Sequence, residues 1–186
     1  MKGERCFTQK CAMIKKAYAP GVHGRSRRRG LSEYGKQLRE KQRIKKTYGI
    51  LERQLKKYVK LAMKQKGDGR ENLMRLIESR LDNVVFRLGF ASSRNQSRQL
   101  VSHRQIEVDK KIINIPSFQV RAGQSVALKE KFKKSPQAEN LKVSLKSHQP
   151  PAWLGFEAKT MSGKIIKLPS AAELGELSVL GTILEY

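Results

Sequence analysis

The stretch Arg80-Leu-Asp-Asn-Val-Val-Phe-Arg-Leu-Gly-Phe-Ala-Ser-Ser-Arg-Asn-Gln-Ser-Arg-Gln-Leu-Val-Ser-His103, with the segment that follows it to Leu128, decides the fold. An apolar phase at Leu73, Leu76, Ile77, Leu81, Val84, Val85 and Leu88 advances by steps that line one helical face toward a core. Gly89 supplies the left-handed residue that ends such a helix. Ser93 and Gln96 have the spacing of a capping box, so a second, shorter helix is expected to run to about His103. Three short runs follow, Ile106 and Val108, Ile113 and Ile115, and Val126 and Leu128, each alternating with polar neighbours. Asp109-Lys110 and Arg121-Ala-Gly-Gln separate them as turns. The reading is two helices packed on a small bent sheet.

The second of these helices has only Leu100 and Val101 as an apolar anchor. Arg94 and Arg98 lie four apart, as do Gln99 and His103, so its polar faces carry hydrogen-bond donors. A solvated surface helix would look the same. The pattern resembles the S-four RNA-binding domain, a two-helix module found in several RNA-binding families. The resemblance implies that Arg94, Arg98 and the turn Ser92-Ser93 meet phosphates or distorted RNA helices, where the planar arginine fork pairs bidentately with phosphate. Arg80, Gln99 and His103 are placed in the same RNA-facing set. One departure is visible: many such domains have a glycine after the second helix, where this chain has Arg104. A positive φ there would carry a steric cost.

Charge supports a polyanionic partner. The 186 residues carry a formal net charge of +24, which excludes an ordinary enzyme surface. Residues 1–70 hold 22 Lys/Arg against 5 Asp/Glu, residues 71–135 hold 13 against 6, and residues 136–186 hold 5 against 5. A membrane surface would want a large apolar face opposite the lysines, and none is evident. The chain has no apolar run of spanning length, and its start, Met1-Lys-Gly-Glu-Arg-Cys6, lacks the apolar core of a signal peptide. The expected compartment is the cytoplasm or an organelle matrix. Cys6 and Cys11 read as free thiols or metal ligands rather than as a disulfide. They are half a zinc site, since structural zinc takes four ligands and His23 is the one nearby addition.

Residues 1–32, with Tyr18-Ala-Pro-Gly-Val-His-Gly24 and then Arg25, Arg27, Arg28 and Arg29, are too poor in apolar residues to bury anything alone and should form an extended basic arm. A solvated tail is the alternative. Ser32 should cap a helix to about Thr47, in which Lys36, Arg39, Lys41, Arg43, Lys45 and Lys46 surround Tyr34, Leu38 and Ile44. So polar a helix is poorly stabilised by its own core, and RNA on several faces would explain it. The next helix, with Leu51, Leu55, Tyr58, Val59, Ala62 and Met63 in a stripe and Glu52 paired to Lys56, reads as a core helix; Arg53 on it joins the RNA-facing set.

Four segments in order, Lys2 to Ala12, Tyr18 to Gly24, Leu31 to Arg43 and Tyr48 to Gln54, are similar to the bacterial-type small-subunit ribosomal protein S four family. Arg80 to Phe90, Gln99-Leu-Val-Ser-His103 and Pro151-Ala-Trp-Leu154 extend the resemblance to nearly the whole chain. It implies an α+β fold with a basic arm (1–32), a helical domain (33–78, completed by 161–186) and an inserted S-four module (79–160). It implies direct binding of small-subunit rRNA that nucleates assembly of the subunit body, an influence on translational accuracy, and S five and S twelve type neighbours, with mRNA close by. Zinc-bearing members have a Cys-x-x-Cys pair ahead of the segment matching Cys6 and Cys11, so zinc is expected only where that pair is present. Trp153 reads as packing a seam beside Leu154 and Phe156 rather than stacking on a base.

No Gly-x-x-x-x-Gly-Lys loop, Gly-x-Ser-x-Gly elbow or His-Glu-x-x-His helix occurs, and His23, His103 and His148 lack carboxylates at motif spacing. Catalysis is unsupported. A free-standing RNA-binding regulator is the competing reading, and co-sedimentation with small subunits distinguishes the two.

Overall fold

The computed structural model describes residues 8–26, 30–136, 138–139, 141, 145, 148–157 and 160–169. Helices α1 (Ala12–Lys15), α2 (Glu33–Tyr48), α3 (Glu52–Lys64), α4 (Gly69–Glu78), α5 (Leu81–Arg87) and α6 (Arg94–Ser102) precede strands β1 (Ile106–Val108), β2 (Lys111–Ile112) and β3 (Ser125–Leu128). Helix α7 (Glu130–Lys133) and the hairpin β4 (Leu154–Glu157) and β5 (Ser162–Ile165) follow. The antiparallel sheet runs β2-β1-β3-β5-β4. The architecture is α+β, as expected.

Within the described part of the arm, α1 and a 3-10 turn at Val22–Arg25 bury no residue. Ser32 caps α2 by accepting from the Gly35 amide at 3.2 Å, and Gly49 ends it in the left-handed region at φ 63°. The first core joins Leu55, Tyr58 and Ala62 of α3 to Leu73, Met74 and Ile77 of α4, with Ile44 and Tyr48 of α2 against it. The second core packs Leu81, Val84, Val85 and Leu88 of α5 on the sheet through Ile106, Val126, Leu128 and Ile165. Each of these buried aliphatic side chains stabilises its core by roughly 1.5–3 kcal/mol relative to exposure.

The apolar phase from Leu73 to Leu88 is therefore not one helix. The chain leaves helical geometry at Arg80 (ψ 139°), because a loop from the sheet supplies the bonds a continuous helix would have made. The Leu81 amide donates to the Phe118 carbonyl at 2.8 Å, the Asp82 amide to Pro116 at 3.1 Å, and the Val120 amide to Ser79 at 2.9 Å. The break keeps the four-residue step from Ile77 to Leu81, so periodicity does not reveal it, yet the two halves serve different cores.

The turn at Asp109 (φ 48°) and Lys110 (φ 64°) has both central residues left-handed, the geometry that suits a two-residue hairpin. Asp109 holds it by accepting from the Ser125 amide at 2.8 Å and from Gln124 Nε2 at 2.9 Å. The strand after it begins at Lys111, earlier than Ile113, and Ile115 is left exposed. The β4–β5 hairpin, absent from the sequence expectation, straddles the boundary expected at residue 160. It brings Trp153 into the second core at 2% exposure. Gly163 faces Leu88 so closely that a side chain there would collide with it.

Candidate nucleic-acid interface

The two cores meet at a polar seam centred on Glu78, the last residue of α4, which is 1% exposed. Its carboxylate accepts from the Tyr48 hydroxyl at 2.6 Å, from Arg87 Nη2 and Nε at 2.7 and 3.0 Å, and from Asn83 Nδ2 at 2.6 Å. Burial by itself would raise its pKa, but the bonds from Arg87, Tyr48 and Asn83 hold it below the ordinary value. Burial, then the Glu78 charge, pushes the Tyr48 hydroxyl far above its usual range, so it stays a donor.

Arg94 at the start of α6 is drawn into this seam. Its Nε donates to Asn83 Oδ1 at 3.0 Å, and its guanidinium stacks 4.6 Å from the Tyr48 ring centroid and 4.5 Å from that of Phe86. Burial lowers its pKa, yet an arginine starts high enough to remain charged. Arg80, expected to face RNA, is 2% exposed and closed inside. Its Nε reaches Asp82 Oδ1 at 3.0 Å and its Nη1 reaches the Tyr58 hydroxyl at 3.0 Å. This corrects the sequence assignment: Arg80 ties the two cores together and offers no surface to a partner.

Helix α2 divides its cations between two jobs. Lys41 is buried, with Nζ 2.6 Å from Glu52 Oε1, and Lys45 lies 3.2 Å from the other oxygen. The Lys41 bond, joined by that from Lys45, holds the Glu52 carboxyl below its ordinary value. Lys41 and Lys45 are thus turned toward α3, and the expected Glu52–Lys56 pair gives way to this cross-helix one. Lys36, Arg39, Arg43 and Lys46 are exposed and recur at steps of three and four, which places them on one face. Leu51 and Met63, expected in the α3 stripe, are exposed at 76% and 65%.

The C-terminal end of α2 abuts α6. Arg98 Nη1 donates to the Gly49 carbonyl at 3.4 Å, and its side chain remains 49% exposed near Asp82. Ser93 caps α6 by accepting from the Gln96 amide at 3.3 Å; the Gln96 side chain accepts from the Ser92 amide at 2.8 Å, one residue earlier than the expected reciprocal bond. Gln99 and His103 are exposed and line a groove of about 610 Å³ with Gln96, Leu100 and Phe132. Arg104 takes φ 58°, so the residue in the glycine position does bear the left-handed backbone. Of the exposed donors of α6, Arg98 is the one held at the end of α2, while Gln99 and His103 face the groove beside Phe132.

Arg25 of the arm folds back on Tyr18, with Nη2 3.1 Å from the hydroxyl and the guanidinium 4.5 Å from the ring centroid. Arg27, Arg28, Arg29 and Cys6 lie outside the described residues. Cys11 is a free thiol at the start of α1, and among the described residues no three His, Cys, Asp or Glu side chains converge. Cys11 therefore does not complete a four-ligand zinc site with them. Among the described residues no helix is long and apolar enough to cross a membrane.

Two family models match the chain: the ribosomal protein S4/S9 N-terminal domain over residues 1–78 and the S4 domain over residues 79–126. The chain is 50% identical over 174 residues to small ribosomal subunit protein uS4 of Heliobacterium modesticaldum, covering 94% of this chain and 83% of that protein. The uS4 proteins of Caldicellulosiruptor saccharolyticus and Acetivibrio thermocellus are each 48% identical with the same coverage.

Proposed function

From the premise that this chain belongs to the small ribosomal subunit protein uS4 family, whose members are ribosomal proteins and not enzymes, we propose that it binds small-subunit (16S) rRNA directly and nucleates assembly of the subunit body. The observation that carries the reading is a set of exposed donors on two helices, Lys36, Arg39, Arg43 and Lys46 on one face of α2 and Arg98, Gln99 and His103 on α6, with Arg98 Nη1 on the Gly49 carbonyl where α2 ends. Ser93 caps the first turn of α6, and Arg94 anchors that turn on Tyr48. Arg25, Arg27, Arg28 and Arg29 add cations for the same polyanionic partner.

In the same reading, residues 1–32 form the arm and residues 33–78 the helical domain. The inserted RNA-binding unit, expected over residues 79–160, carries its sheet on through β5 to Ile165. S five and S twelve type proteins and mRNA are its neighbours, the site of action is the cytoplasmic small subunit, and translational accuracy depends on its placement.

The test is binding to a small-subunit rRNA fragment across a salt series. Affinity should fall by roughly 10³–10⁵ between 50 and 200 mM salt if 6–10 duplex phosphates are contacted, and by less on irregular RNA. A flat salt response, or failure to co-sediment with small subunits, overturns the reading.

A further inference from the structure

The groove of about 610 Å³ between α6 and α7 has a lining unlike the rest of this surface. The chain carries 40 Lys and Arg, yet none of them lines it, and neither does any Asp or Glu. Gln99 and His103, four residues apart, come to the same side of α6 and its cap. The opposite wall follows Lys129, whose amide donates to the Gln105 carbonyl at 2.9 Å and so fixes α7 beside the end of α6. Phe132 of α7 is half-buried, packed against the second core on one side and lining the groove on the other. Gln105 Nε2 donates to the His103 carbonyl at 3.0 Å. The Gln99 amide and the His103 ring, both exposed, have no hydrogen-bond partner among the described residues.

The lining selects among occupants. A phosphate would want cations, and the groove offers none. An apolar side chain from a protein would suit Phe132 and Leu100, but it would strip water from the glutamine amides without replacing their hydrogen bonds. A nucleobase satisfies both kinds of wall: its face stacks on an aromatic ring, and its edge takes paired bonds from a glutamine amide. Arg98 directly precedes Gln99 on α6 and is half-exposed, so the groove adjoins a cation already assigned to RNA. Bases displaced from a stack are the ones that proteins read in RNA by their edges.

Resting on the rRNA-binding reading, we propose that the α6–α7 groove takes one unstacked nucleobase of the bound rRNA, with Phe132 against its face and the Gln99 amide on its edge. The chain then makes a base contact where its cations make only phosphate contacts. The full chain carrying Phe132→Leu is compared with wild type, Phe132→Tyr, Gln99→Ala and Arg98→Ala. Leucine keeps an apolar side chain against the second core, and the exposed Gln99 can be cut back without touching it. The readouts are affinity for the rRNA fragment across a salt series and chemical modification of its bases. Phe132→Leu and Gln99→Ala should each lower affinity roughly tenfold, with the slope of log affinity against log salt unchanged because no phosphate contact is lost. Phe132→Tyr should bind as wild type does. Both weakened variants should expose the same base that wild type shields, whereas Arg98→Ala should lower the slope. If both variants shield every base that wild type shields, the base site is overturned. A slope that falls as in Arg98→Ala also overturns it, since the groove would then hold a phosphate. So does wild-type rRNA binding by both variants with failure to join subunits, because a protein segment would then fill the groove. Wild type that does not bind the fragment overturns the underlying RNA reading, a result distinct from all of these.

Discussion

Replacing Glu78 with Gln tests whether one buried carboxylate ties the helical core to the sheet core. Removing one partner of a fully buried ion pair costs about 3–5 kcal/mol. Arg87, however, is 35% exposed and can turn to water. The amide oxygen of Gln also still accepts from some of the three donor residues. The expected cost is therefore lower, about 2–3 kcal/mol, or roughly 5–10 °C in Tm for a chain of this length. The pH dependence gives the sharper check. The folded-state pKa of Glu78 is depressed, so its contribution is present above the unfolded value of 4.5 and is lost as pH falls through the folded value. Urea unfolding of both proteins, followed by circular dichroism and Trp153 fluorescence, should show the full gap near neutrality and a shrinking gap below pH 4.5. A gap that stays constant into acid, or one under about 0.5 kcal/mol near neutrality, would refute the assignment of Glu78 as the charged tie.

Three further perturbations separate structure from binding. Arg80→Ala should destabilise by about 3–5 kcal/mol in urea unfolding, because Asp82 is left buried and unpaired, while rRNA affinity per folded molecule stays unchanged. Arg98→Ala should do the reverse, with stability near wild type, affinity down about tenfold and the salt slope shallower by about 1; an unchanged affinity would remove α6 from the interface. Arg104→Gly relieves a left-handed arginine worth about 1–2 kcal/mol and adds the entropy of glycine at about 0.5–1, so thermal melting should show a net gain of about 0.5–1 kcal/mol. A lower Tm would mean that the Arg104 side chain contributes more than its backbone costs.

The helices were legible where a local signal marks them. Ser32 and Ser93 cap as their spacing implies, and Gly49 closes α2 in the conformation that glycine tolerates. The break at Arg80 was not legible, because it is imposed by the loop through Phe118 and Gln119, some 40 residues away in sequence. The β4–β5 hairpin was hidden for a related reason: each strand is four residues long, and Gly155 and Gly163 erase the alternation that would announce it. Of the candidate site, helix phase identified Arg98, Gln99, His103 and the outer cations of α2 as one class. It could not separate them from Lys41, whose acid Glu52 comes from α3, or from Arg80, which the loop through Phe118 and the Tyr58 hydroxyl enclose.

That division also resolves the difficulty posed by α2. A helix with so few apolar residues has little reason to fold by propensity alone, and RNA on several sides would have supplied one. The structure supplies another. Lys41 and Lys45 are fixed on Glu52, the Tyr48 hydroxyl on Glu78, and the Tyr48 ring beneath Arg94, so one side of α2 is held by the protein itself. The opposite face, which bears Lys36, Arg39, Arg43 and Lys46, is left open to solvent. Burying part of the charge is thus what orients the rest. Because Arg94 belongs to α6, the same contacts that hold α2 also tie it to that helix. The seam between the cores determines the geometry of the interface as much as the cations that line it.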